Sequence, residues 1–138
     1  MGETKRMINL IIAGSRDFDD YERLSRDTFR YIKTLRKDGI AVLSGCAMGA
    51  DVLGGRFALE HGHELKLFPA DWKKYGKGAG FIRNQQMVDA ADAAIFFWDG
   101  VSRGTSDCIS RCKKKGIGFE IQLFGNKHIY APGKGLLS

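Results

Sequence analysis

The chain has 138 residues, of which 43% are hydrophobic and 11% aromatic. This composition is typical of one folded domain and excludes a disordered chain. No apolar run approaches the roughly 20 residues of a membrane span, and the residues before position 7 are too few for a secretory signal. We therefore expect a cytoplasmic single domain (1–138) without a membrane segment, with a core at about 7–124 and a tail at 125–138.

The net charge of +6 is unevenly distributed. Residues 1–70 carry 11 basic and 10 acidic side chains, whereas residues 71–138 carry 11 and 6. The excess suits a phosphorylated or polyanionic partner. However, Arg111 and the lysines at 113–115 end a predicted helix, where cations interact favourably with the helix dipole. We favour that interpretation over nucleic-acid contact.

Three cysteines, Cys46, Cys108 and Cys112, do not form a disulfide framework and fit a reducing compartment. Cys108 and Cys112 are four residues apart on a predicted helix, where core packing is favoured over metal ligation. His61 and His63 lack a third and fourth ligand. We expect neither a metal site nor a cofactor.

The first half of the chain predicts two strands, each followed by a helix. An apolar strand at 7–13 ends at the GSRDF motif of residues 14–18. Asp19 or Asp20 is the expected cap of a helix that runs to Asp38 and is closed by Gly39. A second buried strand at 40–43 is broken by Ser44 and Gly45, and a helix is predicted at 47–61.

The second half continues this alternation. A strand at 64–68 is stopped by Pro69, and a Gly- and Lys-rich loop at 70–80 precedes a helix at 81–91, with Phe81 among its core candidates. A strand at 93–98 leads through a turn at 99–105 into a helix that Gly116 ends. A fifth strand is predicted at 117–124 and a short one at 128–131.

Strands that alternate with helices indicate βαβ units. The sequence therefore predicts an α/β fold, a single-domain Rossmann-like parallel sheet of about five strands with helices on both faces. Ligands of such sheets bind beyond the carboxyl ends of the strands. Three exits made of small residues follow strands here, at 14–16, 44–46 and 99–105, although neither GxGxxG nor GxxxxGK[ST] is present.

Several side chains near these exits have two interpretations. Gly104 and Thr105 could bind phosphate at a helix start, or Thr105 or Ser106 could cap that helix. Arg16 and Arg83 are guanidinium candidates for a phosphate. Asp51 could cap its helix or bind a ribose hydroxyl.

Other candidates are weaker. Trp72 and Tyr75 could stack on a base or fold onto the surface, and Asp99 could simply form a turn. No pair of nucleophile and base can be read from the sequence, because no histidine is placed near Ser44. Asp17, Asp71 and Asp99 cannot be paired either.

These motifs, taken in order over about residues 8–120, resemble the YspA-like branch of the SLOG superfamily. Its pattern is similar to G-[GS]-R-[DE]-[FY], SGGARGAD, PADW, RN-x-x-M and a PGG-x-GT turn; this chain has SGCAMGAD at 44–51, PADW at 69–72 and Arg83, Asn84 and Met87. The resemblance implies a Rossmann-like fold that binds nucleotide-derived ligands, and a homodimer. Relatives include phosphoribohydrolases, sensors of ADP-ribose-type signals and a DNA-processing protein.

The chain departs from that pattern at several places. Cys46 replaces the second glycine of SGGARGAD, and the residues at 98–100 replace Pro-Gly-Gly. In the phosphoribohydrolases a catalytic glutamate follows Gly-Thr, and the position that matches it here is Cys108. Asp107 is one residue away and would point about 100° around the helix.

We expect first a module that binds a nucleotide or nucleotide-derived ligand, second an N-glycosidic hydrolase that uses Asp99 or Asp107, and third a binder of single-stranded nucleic acid. The predicted ligand-binding residues are Gly14, Ser15, Arg16, Asp17, Ser44, Gly45, Cys46, Gly49, Asp51, Asp71, Trp72, Arg83, Asn84, Asp99, Gly100, Gly104 and Thr105.

Overall fold

A computed structural model describes residues 7–35 and 39–125. Strands and helices alternate along this part of the chain, as the apolar runs predict. The elements are β1 (Met7–Gly14), α1 (Tyr21–Ile32), β2 (Gly39–Ser44), α2 (Ala50–Glu60), β3 (Glu64–Leu67), α3 (Trp72–Tyr75), a 3-10 turn (Gly76–Gly78), α4 (Ala79–Ala90), β4 (Ala93–Trp98), α5 (Arg103–Lys115) and β5 (Gly118–Leu123).

The five strands form one sheet in the order β3-β2-β1-β4-β5, and every neighbouring pair is parallel. In the central strand β1, Ile11 lies opposite Leu43 of β2 and Ala94 of β4. The predicted α/β fold with a Rossmann-like parallel sheet is confirmed. The chain leaves β1 towards β2 but leaves β4 towards β5, so the switch point of the sheet lies between β1 and β4.

Helices cover both faces of the sheet, as predicted. Leu10 and Ile12 of β1 share a core with Phe57 of α2, whereas Ile11 points to the opposite core, with Met87 of α4. This alternation follows from the two-residue repeat of a strand. Cys108 and Cys112 of α5 are buried in the second core, which confirms that they pack there. No helix in the described part of the chain is long and apolar enough to cross a membrane.

Gly54 inside α2 allows that helix to approach the sheet closely. A Cβ atom at Gly54 would lie 2.7 Å from Cγ2 and 2.8 Å from Cβ of Ile12. Glycine costs about 1 kcal/mol relative to alanine in a helix, and here the close approach explains its presence.

The first helix is shorter than predicted. It ends at Ile32, and Gly39 is the first residue of β2, so the prediction that Gly39 closes the helix is wrong. The carbonyl of Tyr31 accepts from both the backbone N–H (2.9 Å) and Oγ1 (2.7 Å) of Thr34, which replaces the helical hydrogen bond by a turn. A threonine side chain that bonds nearby backbone groups in this way competes with the helix.

Two other helices begin elsewhere than predicted. α2 begins at Ala50 and not at Ala47. Gly49 has a positive φ of 79°, which is not a helical conformation, so the helix does not include the residues before Ala50. Conversely, α4 begins at Ala79, inside the stretch predicted as a loop. Ala79 is 1% exposed and belongs to the buried core. Phe81, predicted as a core residue, is 44% exposed.

The last helix begins at Arg103, with Ser102 as its N-cap residue, so the prediction of a cap at Thr105 or Ser106 is wrong. The side chain of Asp99 stabilises the turn before α5, and the helix begins earlier in the chain than predicted. Gly116 ends α5 in the left-handed conformation, as predicted. The predicted strand at 128–131 lies outside the described residues.

Candidate functional site

A cavity of about 560 Å³ lies at the carboxyl ends of β1 and β4, between these strands and the starts of α4 and α5. We call it the central cavity. Its position is the switch point of the sheet, and its volume is within the range of small-molecule sites.

The structure brings most of the sequence candidates together in this cavity and leaves others outside it. The candidates that line it are Gly14, Ser15, Arg16, Asp17, Asp51, Trp72, Arg83, Asn84, Asp99, Gly104 and Thr105. Candidates outside its lining are Ser44, Gly45, Cys46, Gly49, Asp71, Gly100 and the catalytic candidate Asp107. Lining residues that were not among the predicted ligand-binding residues are Ala13, Ala47, Lys77, Gly80, Phe81, Met87, Ser102, Arg103 and Cys108.

Several of the residues outside the cavity support its walls. Asp71 Oδ1 accepts from Lys74 N (3.0 Å) and caps α3. Gly45 separates two lining side chains, since a Cβ there would lie 2.7 Å from Asp51 Oδ2 and 2.8 Å from Arg83 Nη1. Asp71 and Gly45 therefore help to position residues that line the cavity.

Ser15, which is 1% exposed, joins the loops that follow β1 and β4. Its N–H donates to Phe97 O (2.9 Å), and its Oγ accepts from Asp99 N (3.0 Å). Ser102 Oγ lies 3.1 Å from Ser15 Oγ, and Ala50 N donates to Ser15 O (3.2 Å). One small polar residue thus fixes the two strand exits and the start of α2.

Asp99 shapes the turn before α5. Its Oδ1 accepts from Val101 N (2.9 Å) and Ser102 N (2.7 Å), and its Oδ2 accepts from Ser102 Oγ (2.8 Å). Partial burial opposes ionisation, but these hydrogen bonds outweigh it and lower the pKa of Asp99. Its oxygens are therefore engaged in forming the turn, which was the simpler of the two interpretations.

The first turn of α5 opens into the central cavity. The backbone N–H groups of Arg103, Gly104 and Thr105 have no acceptor among residues 7–35 and 39–125, and all three residues line the cavity. A Cβ at Gly104 would meet nothing within 4 Å, so the space over this turn is open. Free N–H groups at the positive end of a helix attract anions.

Arg83 and Asn84 connect α4 to both neighbouring loops. Arg83 Nη1 donates to Gly45 O, and its Nε donates to Asn84 Oδ1 (3.0 Å). Asn84 is buried, and its Nδ2 donates to Gly104 O (3.1 Å) and to Asp107 Oδ2 (3.0 Å). The Asn84 amide thus fixes the start of α5 relative to α4.

Asp51 is 5% exposed and lies in the cavity wall. Burial raises its pKa to about 6, although the N–H of Ala47 and the charges of Arg83 and Arg16 oppose that rise. Its Oδ2 accepts from Ala47 N (3.2 Å), which lies before the helix, so Asp51 does not cap α2 by bonding its first turn.

The charge around the cavity favours an anion. Four basic residues line it against three acidic ones, and Asp51 titrates near pH 6. Arg16 is exposed and forms no ion pair within the described part of the chain, and neither does Arg103. Unpaired cations that face a cavity focus a positive potential inside it.

Two aromatic side chains line the cavity. Trp72 is 54% exposed and Phe81 is 44% exposed. Tyr75 lies outside the cavity, with Lys74 Nζ 5.1 Å from the centroid of its ring. Of the two aromatic residues that the sequence suggested for stacking, only Trp72 is thus placed at the cavity.

Two of the basic residues at the end of α5 form hydrogen bonds within the chain. Lys115 Nζ donates to Val88 O (2.8 Å), Asp89 O (2.9 Å) and Ala91 O (3.1 Å), at the end of α4. Arg111 Nε donates to Asp107 Oδ2 (2.7 Å). These contacts support the helix-ending interpretation of this run. The described residues contain no group of three His, Cys, Asp or Glu side chains that could hold a metal ion.

Comparison with known proteins found a matching family model and a matching relative. The model of the YspA, cpYpsA-related SLOG family matches residues 8–75. Over 131 residues the chain is 34% identical to the "Gene 61 protein" of Mycobacterium phage D29, an alignment that covers 88% of this chain and 99% of that protein. The chain belongs to the YspA-like SLOG family. No solved structure matches it. Membership indicates a nucleotide-related role, in binding or in processing.

Cys46 occupies a position where the family pattern has a glycine. The backbone conformation at this position explains why glycine is favoured there. Its φ is 67°, the only positive φ of a non-glycine residue among the described positions. Its side chain is exposed, and Sγ lies 3.7 Å from Ser44 O. A left-handed conformation costs an L-residue about 1–2 kcal/mol.

Cys46→Gly is therefore expected to raise the free energy of unfolding by about 1 kcal/mol relative to Cys46→Ala. Alanine removes the thiol but keeps the Cβ that is strained at this φ, so the pair separates backbone strain from sulfur chemistry. Urea unfolding of both variants measures the difference. Equal stability of the two would show that residue 46 is not held in the left-handed region.

Cys108 occupies the position that matches the catalytic glutamate in the pattern of the family's phosphoribohydrolases. Its side chain is 2% exposed at the cavity wall. The neighbouring Cys112 thiol and burial both raise the pKa of Cys108, so its thiol stays protonated near neutral pH. A neutral thiol supplies neither the charge nor the proton affinity of a carboxylate.

Proposed function

We propose that this protein binds a nucleotide or nucleotide-derived ligand in the central cavity, as a sensor or sequestering module. The ligand is a nucleoside monophosphate or a compound of the ADP-ribose or NAD type. The observation that carries the proposal is the first turn of α5, whose N–H groups have no acceptor among the described residues and open into a cavity that Arg16 and Arg103 also line.

The lining supports one orientation of such a ligand. A phosphate group at residues 103–105 would face Arg16 and Arg103, which supply charge-assisted hydrogen bonds. The base would then lie against the aromatic side chains of Trp72 and Phe81. Asp51 in the wall is available to a ribose hydroxyl.

Hydrolysis by the acidic residues that the sequence suggested is disfavoured. A hydrolase would need an acidic residue that assists departure of the base or attack of water. Cys108 at the expected position is a neutral thiol, and the carboxylate oxygens of Asp99 are engaged by the turn. Asp107 does not line the central cavity.

The proposal predicts that AMP binds and that its phosphate contributes most of the affinity. Gly104→Asp should weaken AMP binding about tenfold or more, because a carboxylate would occupy the anion site, where the space is open. The same change should not destabilise the fold, since an acidic residue in the first helical turn is favourable by about 0.3–1 kcal/mol. Calorimetric titration and thermal melting measure the two effects.

Gly104→Asn is the matched variant, because it has nearly the same size and no charge. AMP should bind it more tightly than it binds Gly104→Asp, and adenosine should bind both equally weakly. Equal AMP affinities for the two variants would contradict a phosphate at this position. Chromatography of AMP after incubation adds a direct check, since released adenine would show hydrolysis instead of simple binding.

A further inference from the structure

A second concave surface adjoins the central cavity. It has a volume of about 350 Å³ and is lined by Phe81, Trp98, Val101, Arg103, Ser106, Asp107 and Ser110. We call it the outer hollow. Phe81 and Arg103 line both the central cavity and the outer hollow, so the two spaces share these side chains as a common wall.

The outer hollow combines exposed apolar surface with free polar groups. Val101 is 70% exposed and Phe81 44%, although large apolar side chains usually avoid such exposure. Beside them lie the hydroxyl groups of Ser106 and Ser110, both exposed residues of α5. A surface of this kind suits a sugar and a planar or apolar group attached to it.

Asp107 supplies a specific acceptor there. Asn84 Nδ2 and Arg111 Nε both donate to its Oδ2, at 3.0 and 2.7 Å, and these two bonds fix the carboxylate. Its Oδ1 makes no hydrogen bond with any residue of the described ranges. A fixed carboxylate with one free oxygen is well suited to accept from sugar hydroxyl groups.

Arg103 lines both spaces, and its charge has no ion pair among the described residues. A phosphate at the start of α5 would therefore have a second cation beside it, on the side of the outer hollow. That position suits the second phosphate of a pyrophosphate, with the chain of the ligand continuing past Phe81.

We infer that the outer hollow is a second ligand subsite, which holds the sugar beyond the pyrophosphate of a ligand with two sugar-containing halves. This inference rests on the proposed function, because the first half of the same ligand occupies the central cavity. It narrows the ligand class from any nucleotide to pyrophosphate-bridged compounds. Asp107 then serves to bind the second sugar and has no role in catalysis.

The test compares AMP, ADP and ADP-ribose by calorimetric titration against the full chain. ADP-ribose is expected to bind about tenfold or more tightly than AMP, and more tightly than ADP, because only ADP-ribose carries a sugar into the outer hollow. A gain that is complete with ADP would assign the extra affinity to the phosphate alone and would overturn the inference.

Ser110→Tyr fills the outer hollow from an exposed helical position. It should bring the ratio of ADP-ribose to AMP affinity close to one, whereas Lys113→Tyr, which adds the same ring to α5 outside the outer hollow, should leave a large ratio. A ratio that survives Ser110→Tyr would overturn the second subsite while leaving the proposed function intact. If neither AMP nor ADP-ribose binds the unaltered chain, the proposed function fails and the inference with it.

Discussion

Replacing Asp51 by asparagine is expected to raise the free energy of unfolding at pH 7 by up to about 3 kcal/mol. The carboxylate is 5% exposed, and burial raises its pKa from 3.8 to about 6. A rise of that size corresponds to about 3 kcal/mol, because one pKa unit is worth about 1.36 kcal/mol. Asparagine keeps the oxygen that accepts from Ala47 N and removes the charge.

The sign of the pH dependence follows from the direction of the shift. The folded protein binds the Asp51 proton more tightly than the unfolded chain does, so this group contributes stability at low pH. Its contribution is complete below about pH 3.8 and is lost as the pH rises through about 6. The difference in stability between Asp51→Asn and the unaltered protein should therefore be small at pH 4 and largest above pH 6.

Urea unfolding at several pH values measures this difference. Asp51→Ala serves as the control, because it removes the charge and also leaves the N–H of Ala47 without its acceptor. A buried donor without an acceptor costs about 1–3 kcal/mol and the partly buried N–H of Ala47 costs less, so alanine should gain less than asparagine. If the pH profile of Asp51→Asn runs parallel to that of the unaltered protein, burial does not perturb this carboxyl group.

A carboxylate that lowers the stability of its own fold at neutral pH points to a role in binding. Perturbed carboxyl groups cluster at functional sites, and local rules are broken most often there. Asp51 satisfies both conditions, since it lines the central cavity and lies next to Arg83. This supports the proposal that the cavity holds a ligand.

The strands could be predicted from the sequence because their apolar runs have few alternatives. The run at 93–98 contains no polar residue and matches β4 at both ends. The helix boundaries depended on interactions that sequence patterns do not contain. α1 ends where the Thr34 side chain bonds the carbonyl of Tyr31, and α4 begins early because Ala79 is buried by its neighbours.

The same limit applies to the candidate site. The small residues that follow the strands indicated the edge of the sheet at which a ligand would bind, because parallel strands place their carboxyl ends on one edge. The side chains contributed by helices were harder to find. Arg103 lies several residues after the end of β4 and belongs to no motif. Phe81 was predicted as a core residue because the sequence does not show whether an apolar side chain is exposed. Asp107 and Cys108 are neighbours in the sequence, but the helix directs them to different surfaces.

Gly49→Ala is expected to destabilise the protein by more than about 4 kcal/mol, enough to unfold many domains of this size. A Cβ at Gly49 would lie 2.3 Å from Ser15 O and 2.4 Å from Arg16 O. Both atoms belong to the backbone of the loop after β1, and Ser15 O also accepts from Ala50 N (3.2 Å). The loop cannot move away without losing that hydrogen bond and the wall of the central cavity.

Gly62→Ala measures the effect of a Cβ at a positive φ where no close contact exists. Gly62 has a φ of 73°, close to the 79° of Gly49, but a Cβ there meets nothing within 4 Å. Its substitution should therefore cost only the strain of a left-handed alanine, about 1–2 kcal/mol. Thermal and urea unfolding of the two variants measure the difference. Similar costs at both positions would mean that the first and second strand exits do not touch. The fixed geometry between them, on which the phosphate position depends, would then be lost.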